Sequence, residues 1–222
     1  MVLQPIRTPL RRLLLLAIVT MVILCGILAT APGATVSAQK PKFTTVVIDA
    51  GHGGHDRGAV RPIAGFEKTL TLDVAKRLEK ELTGTALRTV MTRSDDTFVS
   101  LPDRTKIANA EKNAVFVSIH FNVGERLAAR GYETFFSSFE SVDLSNDLHA
   151  AMLRTAESED RGVKKRGFYV LKNTKIPAVF LECGFMSNAE EAKVIATEEF
   201  RQKLAQELAA ALLANAGVAK ET

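Results

Sequence analysis

Apolar positions in this chain recur with two different periods. From Thr45 onward, short runs rich in β-branched residues alternate with stretches whose apolar side chains return every three or four positions. Runs of the first kind predict strands at Thr45–Asp49, Leu87–Thr92, Val115–Ile119, Tyr132–Phe136, Phe168–Leu171 and Ala178–Glu182. The second kind predicts a helix from about Glu67 to Leu82, where Leu70, Val74, Leu78 and Leu82 share one face. Another helix begins at Pro102, a residue suited to a first turn, and ends near Asn113. A third covers roughly Asp143 to Glu157. The stretch from Asn188 to Ala214 reads as one or two helices, opened by Ser187 or Asn188 with Glu190 and Glu191 in the first turn. Strands alternating with helices are the mark of βαβ units. The expectation is a single α/β domain over residues 44–216, with a mostly parallel sheet of about six strands and helices on both faces.

Composition narrows this little further. A content of 46% hydrophobic and 24% charged residues excludes disordered, collagen-like and disulfide-framework chains. The mean hydropathy of +0.07 is high for a soluble protein, and one segment explains it. Leu13 to Ala31 reads LLLLAIVTMVILCGILATA without a charge, preceded by Arg7, Arg11 and Arg12. Residues 1–38 therefore have the three parts of an export signal, with the best cut after Val36-Ser37-Ala38. The alternative is an uncleaved anchor, since the run approaches the ~20 residues that span a bilayer. Either way the rest works outside the cytoplasm, in the periplasm or at the cell wall, and touches a membrane only through this segment. Residues 39–43 form a short polar linker. Without those three arginines, the 29 basic residues nearly balance the 25 acidic ones, so the basic pI gives no reason to expect a nucleic-acid partner. Beyond the signal only Cys183 remains, so no intramolecular disulfide forms there.

Open parallel sheets bind ligands at the carboxyl ends of their strands. The first strand runs into Gly51-His52-Gly53-Gly54-His55-Asp56-Arg57-Gly58, the third into His120-Phe121-Asn122, and the last into Glu182-Cys183-Gly184. Glu67 opens the first helix after the Gly-rich loop. Two histidines and two glutamates thus converge on one rim. A His, Glu, His set with an open fourth position is a catalytic zinc arrangement, and a further carboxylate nearby can take the proton of a water. Each residue alone has a duller explanation: a loop hydrogen bond for His52, a buried imidazole for His120, a first-turn acid for Glu67. Glu182 is harder to dismiss, because an apolar strand rarely ends in a carboxylate without a partner. The loop itself lacks the Walker Lys-Ser/Thr and the spacing of a dinucleotide site. His55 is expected in solvent, His149 on a helix surface or in packing, and Cys183 as a buried, inert thiol on the opposite strand face.

The stretches VVIDAGHGGHDRGAV, GFEKTLTLDVAKRLEKEL, MTRSDDTFVSLPDRTKIAN, SIHFN and RGVKKRGFYVLKNTKIPAVFLECGFMSN together resemble the zinc-dependent N-acetylmuramoyl-L-alanine amidases of bacterial cell walls. The similarity covers about Thr44 to Ala214, with the motifs in the family's order. It implies an enzyme with Zn2+ as cofactor and peptidoglycan as substrate, cleaving the amide between the lactyl group of N-acetylmuramic acid and L-alanine. His52, Glu67 and His120 resemble the zinc ligands, and Glu182 the catalytic glutamate. Asp49 or Asp56 would hold a ligand histidine by its second ring nitrogen. Asn122 and Arg161 are candidates for holding glycan or peptide. Two departures from the family stand out: Arg57 replaces a usual proline, and Cys183 a usual aliphatic residue. Some members carry an inserted helix that blocks the zinc site; here Phe136 leads to the Asp143 helix too quickly for one. A zinc peptidase cutting within the stem peptide and a non-catalytic wall-binding protein are the rival readings.

Overall fold

A computed structural model describes residues 42–218. The export segment and residues 39–41 of the linker lie outside the described residues. Phe43 is already buried in the core, and the backbone N–H of Lys42 bonds the Ala216 carbonyl at 2.9 Å.

A six-stranded sheet forms the centre: β1 (Thr45–Ala50), β4 (Arg88–Met91), β5 (Ala114–Asn122), β6 (Tyr132–Phe136), β7 (Asp160–Lys165) and β8 (Ala178–Phe185), in the spatial order β4-β1-β5-β8-β6-β7. The first four in that order are mutually parallel; β6 runs antiparallel to β8 and parallel to β7. A separate two-stranded ribbon pairs β2 (Val60–Arg61) with β3 (Gly65–Phe66) antiparallel.

The helices are α1 (Glu67–Leu82), α2 (Leu101–Ala110), α3 (Val142–Leu153), α4 (Tyr169–Asn173), α5 (Ala189–Ile195) and α6 (Glu198–Ala216). α1 has the predicted limits, with Leu70, Val74, Leu78 and Leu82 all buried. Ser100 caps α2 by accepting from the Asp103 N–H at 3.2 Å. The helix stops short of Asn113, which takes a left-handed φ of 52°. Asn188 Oδ1 accepts from the N–H groups of Glu190 and Glu191 and opens α5. Thr197 then caps α6, so the C-terminal stretch is two helices. Among the described residues no helix is long and apolar enough to cross a membrane.

Alternation along the strands divides the sheet into two unlike faces. Val46 and Ile48, Val115 and Val117, and Val179 and Leu181 face one way and pack against α1, α3 and α6. Val47, Phe116, Ala178 and Phe135 face the other way, against α2 and α4.

One expected strand lies elsewhere. Phe168–Leu171 is not a strand; its end enters the short helix α4, where Val170 and Leu171 fill the smaller core while Phe168 and Tyr169 remain partly exposed. A run of four apolar residues fits either geometry, and periodicity cannot separate them. The sixth strand is Asp160–Lys165, an edge strand whose charged residues hid it from an apolar pattern.

Candidate active site

The smaller-core face carries the candidate residues because its parity in each strand selects them. On β5 it presents Ser118, His120 and Asn122; on β8, Phe180 and Glu182; on β6, Glu133. Register sets His120 beside Glu182 and Glu182 beside Glu133. Three polar side chains therefore stand in one row, one strand spacing of about 4.8 Å apart.

His52 joins them from the loop after β1. Its φ is 61°, a left-handed conformation that costs a non-glycine residue about 1–2 kcal/mol. Two contacts hold it there. Arg104 Nη2 donates to the His52 carbonyl at 2.6 Å, and Asp56 Oδ2 lies 2.9 Å from Nδ1. The neighbouring glycines are needed for space. A Cβ at Gly51 would lie 2.2 Å from the His120 ring. One at Gly58 would lie 2.6 Å from both Glu67 Oε2 and His52 Cδ2.

Glu67 is buried at the start of α1, where its Oε1 lies 3.1 Å from His52 Nε2 and 3.0 Å from His120 Nδ1. The same oxygen accepts from the Phe121 N–H at 3.1 Å, and Oε2 accepts from the Ala59 N–H at 2.8 Å. Ligand atoms of His52, Glu67 and His120 all lie within 4.8 Å of one another. Burial alone would raise the Glu67 carboxyl, but the two imidazoles outweigh it and hold it well below the usual carboxylate range. Burial would likewise lower the His52 imidazole; Glu67 and Asp56 reverse this, and the net shift is upward. His120 stacks on Phe180, with ring centroids 4.3 Å apart and 13° between planes. Two imidazoles, a carboxylate and a fixed outer partner on His52 suit a divalent metal.

Glu182 stands next in the row. Its Oε2 is buried and has no hydrogen-bond partner among the described residues. Burial, then the negative charges of Glu67 and Glu133, push its carboxyl well above the ordinary range. A buried carboxylate oxygen without a partner is costly, and active sites are where such groups are retained. The arrangement sets three candidate metal ligands beside a buried carboxyl.

Asp49 does not serve the histidines directly. Its oxygens bind Arg104 Nη1 at 2.6 Å, Thr92 Oγ1 at 2.7 Å and Ser118 Oγ at 2.7 Å, and no bond to an imidazole is among them. It acts one step further out, fixing the arginine that holds the His52 carbonyl. Asp56 is the residue that reaches a ring nitrogen. Asn122 Nδ2 donates to Glu133 Oε2 at 2.9 Å, and Arg161 Nε lies 3.4 Å from Glu133 Oε1, so both border the row. His55 stacks on Phe98, and His149 is satisfied in packing between Thr134 and Asp160. Cys183 is a free, fully buried thiol, pushed up by its burial.

Comparison with known proteins decides the family. The N-acetylmuramoyl-L-alanine amidase profile matches residues 46–214. The chain belongs to this amidase family. The catalytic domain of CwlV, an N-acetylmuramoyl-L-alanine amidase from Bacillus (Paenibacillus) polymyxa var. colistinus, superposes with a TM-score of 0.75 at 39% identity, covering 78% of this chain and 97% of that one. The amidase LytC of Bacillus subtilis is 34% identical over 73% of this chain, which spans 33% of LytC. The uncharacterized Bacillus subtilis protein YqiI is 38% identical over 82% of this chain and 89% of its own length. The fold and enzyme class of this amidase are thus those of an amide hydrolase.

Three further residues shape the candidate site. Arg104 and Arg93 are both buried and tie down the loop after β1; Arg93 donates to the carbonyls of Ala50, Gly51 and Lys68. Glu133 is buried beside Glu182. A charge between Tyr132 and Thr134 in an otherwise uncharged strand half was the available signal for Glu133. Nothing in the spacing of the arginines marked them as buried.

Proposed function

We propose that this amidase is a zinc enzyme that hydrolyses the bond between the lactyl group of N-acetylmuramic acid and L-alanine in peptidoglycan. His52, Glu67 and His120 would hold the metal, and Glu182 would act as general base. The observation that carries this reading is the convergence of the three ligand atoms beside the partnerless, buried Oε2 of Glu182. When bound, zinc supplies Lewis acidity, which lowers the pKa of water towards about 7 and polarises a carbonyl. Glu182 accepts the proton of the attacking water and returns it to the departing L-alanine nitrogen. Asp56 keeps the His52 ring oriented, and the two backbone N–H groups on Glu67 keep that carboxylate in place.

Residues 1–38 act in this reading as an export signal, and the enzyme works outside the cytoplasm, where its substrate lies. The basic flank, the uncharged run and the small residues before Gln39 support this. N-terminal sequencing of the native protein should begin at Gln39. Digestion of purified peptidoglycan by the zinc-loaded protein, read by mass spectrometry, tests the reaction. Free L-alanine N-termini with intact lactyl groups are expected. Cuts within the stem peptide would make it a peptidase, and no cuts a binding protein.

A further inference from the structure

Three adjoining depressions line one end of the sheet, at the carboxyl ends of β1, β5 and β8 and the amino ends of β6 and β7. The central one holds His52, Glu67, His120 and Glu182. On one side it shares Phe168 and Phe180 with a hollow that also includes Phe98, Leu101 and Tyr169. On the other it shares Asn122 and Val123 with a hollow that reaches Glu133, Arg161 and Phe185.

The two flanks differ in chemistry. On the first, Phe98, Leu101, Phe168 and Tyr169 are each between 39% and 50% exposed, a concentration of bare apolar surface beside a reaction centre. Phe168 and Phe180 pack with centroids 4.9 Å apart, and His55 lies against Phe98, so the wall is braced. The second flank is ionic. Lys164 Nζ lies 2.6 Å from the buried Glu133 carboxylate, and Arg161, whose guanidinium lies over the Phe185 ring, also faces it. Two cations thus serve one buried carboxylate. Glu159, the other acidic partner of Arg161, is more than half exposed and its charge is spent in water. No bond from Arg161 Nη2 is recorded among the described residues.

The substrate is equally lopsided. On one side of the scissile amide lies a sugar, whose C–H faces pack on aromatic rings. On the other lies the stem peptide, where a carboxylate on the second residue, as in a γ-linked glutamate, would seek a cation. Arg161 stands on β7, two strands beyond Glu182, or about 10 Å, and its side chain leans back towards Glu133. Two extended residues reach about 7 Å from the scissile bond. Resting on the amidase reading of the centre, we propose that the glycan lies against Phe98, Leu101, Phe168 and Tyr169. The stem peptide crosses β6 and β7, with its second-residue carboxylate held by Arg161 and Lys164. Such a site discriminates free acid from amide at that residue.

Calorimetry with the zinc-loaded Glu182→Gln protein tests this on uncleaved ligands. The probes are a disaccharide carrying L-alanyl-γ-D-glutamate, its α-amide, and the N-lactyl dipeptide without sugar. Amidation should weaken binding about tenfold, and removal of the sugar by at least as much. Adding Arg161→Gln or Lys164→Gln should abolish the acid–amide difference and leave the sugar's contribution intact. Adding Phe168→Ser or Tyr169→Ser should do the reverse. Equal affinity for acid and amide in the protein with both cations present would overturn the proposal without any further variant. So would a swap of the two effects between flanks. Failure of the unsubstituted enzyme to cleave any probe would instead overturn the reaction, while the binding comparison would still decide the orientation.

Discussion

The two faces of the sheet are made by the same strands and behave as different materials. Val46, Ile48, Val117, Ile119, Val179 and Leu181 are fully buried under the long helices α1, α3 and α6. One residue away in each strand stand Asp49, His120 and Glu182, roofed only by the shorter α2 and α4. The thick face supplies the burial, at ~25 cal/mol per Å2 of apolar area, that lets the thin face keep polar groups unpaired. A strand that slipped by one residue would exchange the two sets. Stability and chemistry are therefore separable by parity, and substitutions on opposite faces should fail in different ways.

The largest contrast should come from the reactive row. Glu182→Gln should keep its fold and bound metal and lose 10²–10⁴-fold in turnover, ~3–5 kcal/mol of barrier. His120→Ala should lose the metal as well. Metal analysis, melting temperature and hydrolysis of a muramoyl peptide separate the two; a Glu182→Gln enzyme with more than about a tenth of normal turnover would remove that residue from the mechanism. Arg104→Met should break the comparison by damaging both properties. It leaves Asp49 buried without its cation, at ~3–5 kcal/mol, and releases the His52 carbonyl. Denaturant midpoints together with metal affinity should both fall. On the thick face, Leu78→Ala should cost ~2–5 kcal/mol and leave turnover per folded molecule unchanged.

The smallest effect concerns protons. A histidine whose folded pKa is raised stabilises fully below its unfolded value, here 6.5, and loses that contribution as pH rises through the folded value. The chelator-treated protein should therefore melt lower at pH 8 than at pH 6, in part through His52, and His52→Gln should flatten that slope. An unchanged slope in the variant would assign it elsewhere.

What was legible in the sequence follows the same division. Thick-face elements carry strong periodicity, and α1 was read to its ends from four residues. On the thin face the signal was chemical: His52, Glu67, His120 and Glu182 stood out as polar residues at element edges, and the structure gathers them. Asp49 and Arg104 could not be read this way, because their pairing joins positions 49 and 104 through tertiary packing alone. Phe168–Leu171 and Asp160–Lys165 exchanged roles for a related reason. An edge strand beside an ionic hollow need not be apolar, and an apolar run lining the opposite hollow need not be extended.

His52 follows β1 and His120 stands on β5, so these residues, far apart in the chain, meet only when the two strands pair. Glu182 joins them only through the pairing of β8 with β5. An incomplete or unfolded chain therefore contains the ingredients of the hydrolase and none of its activity. Competence is thus a property of the closed sheet as a whole and of no shorter piece of it.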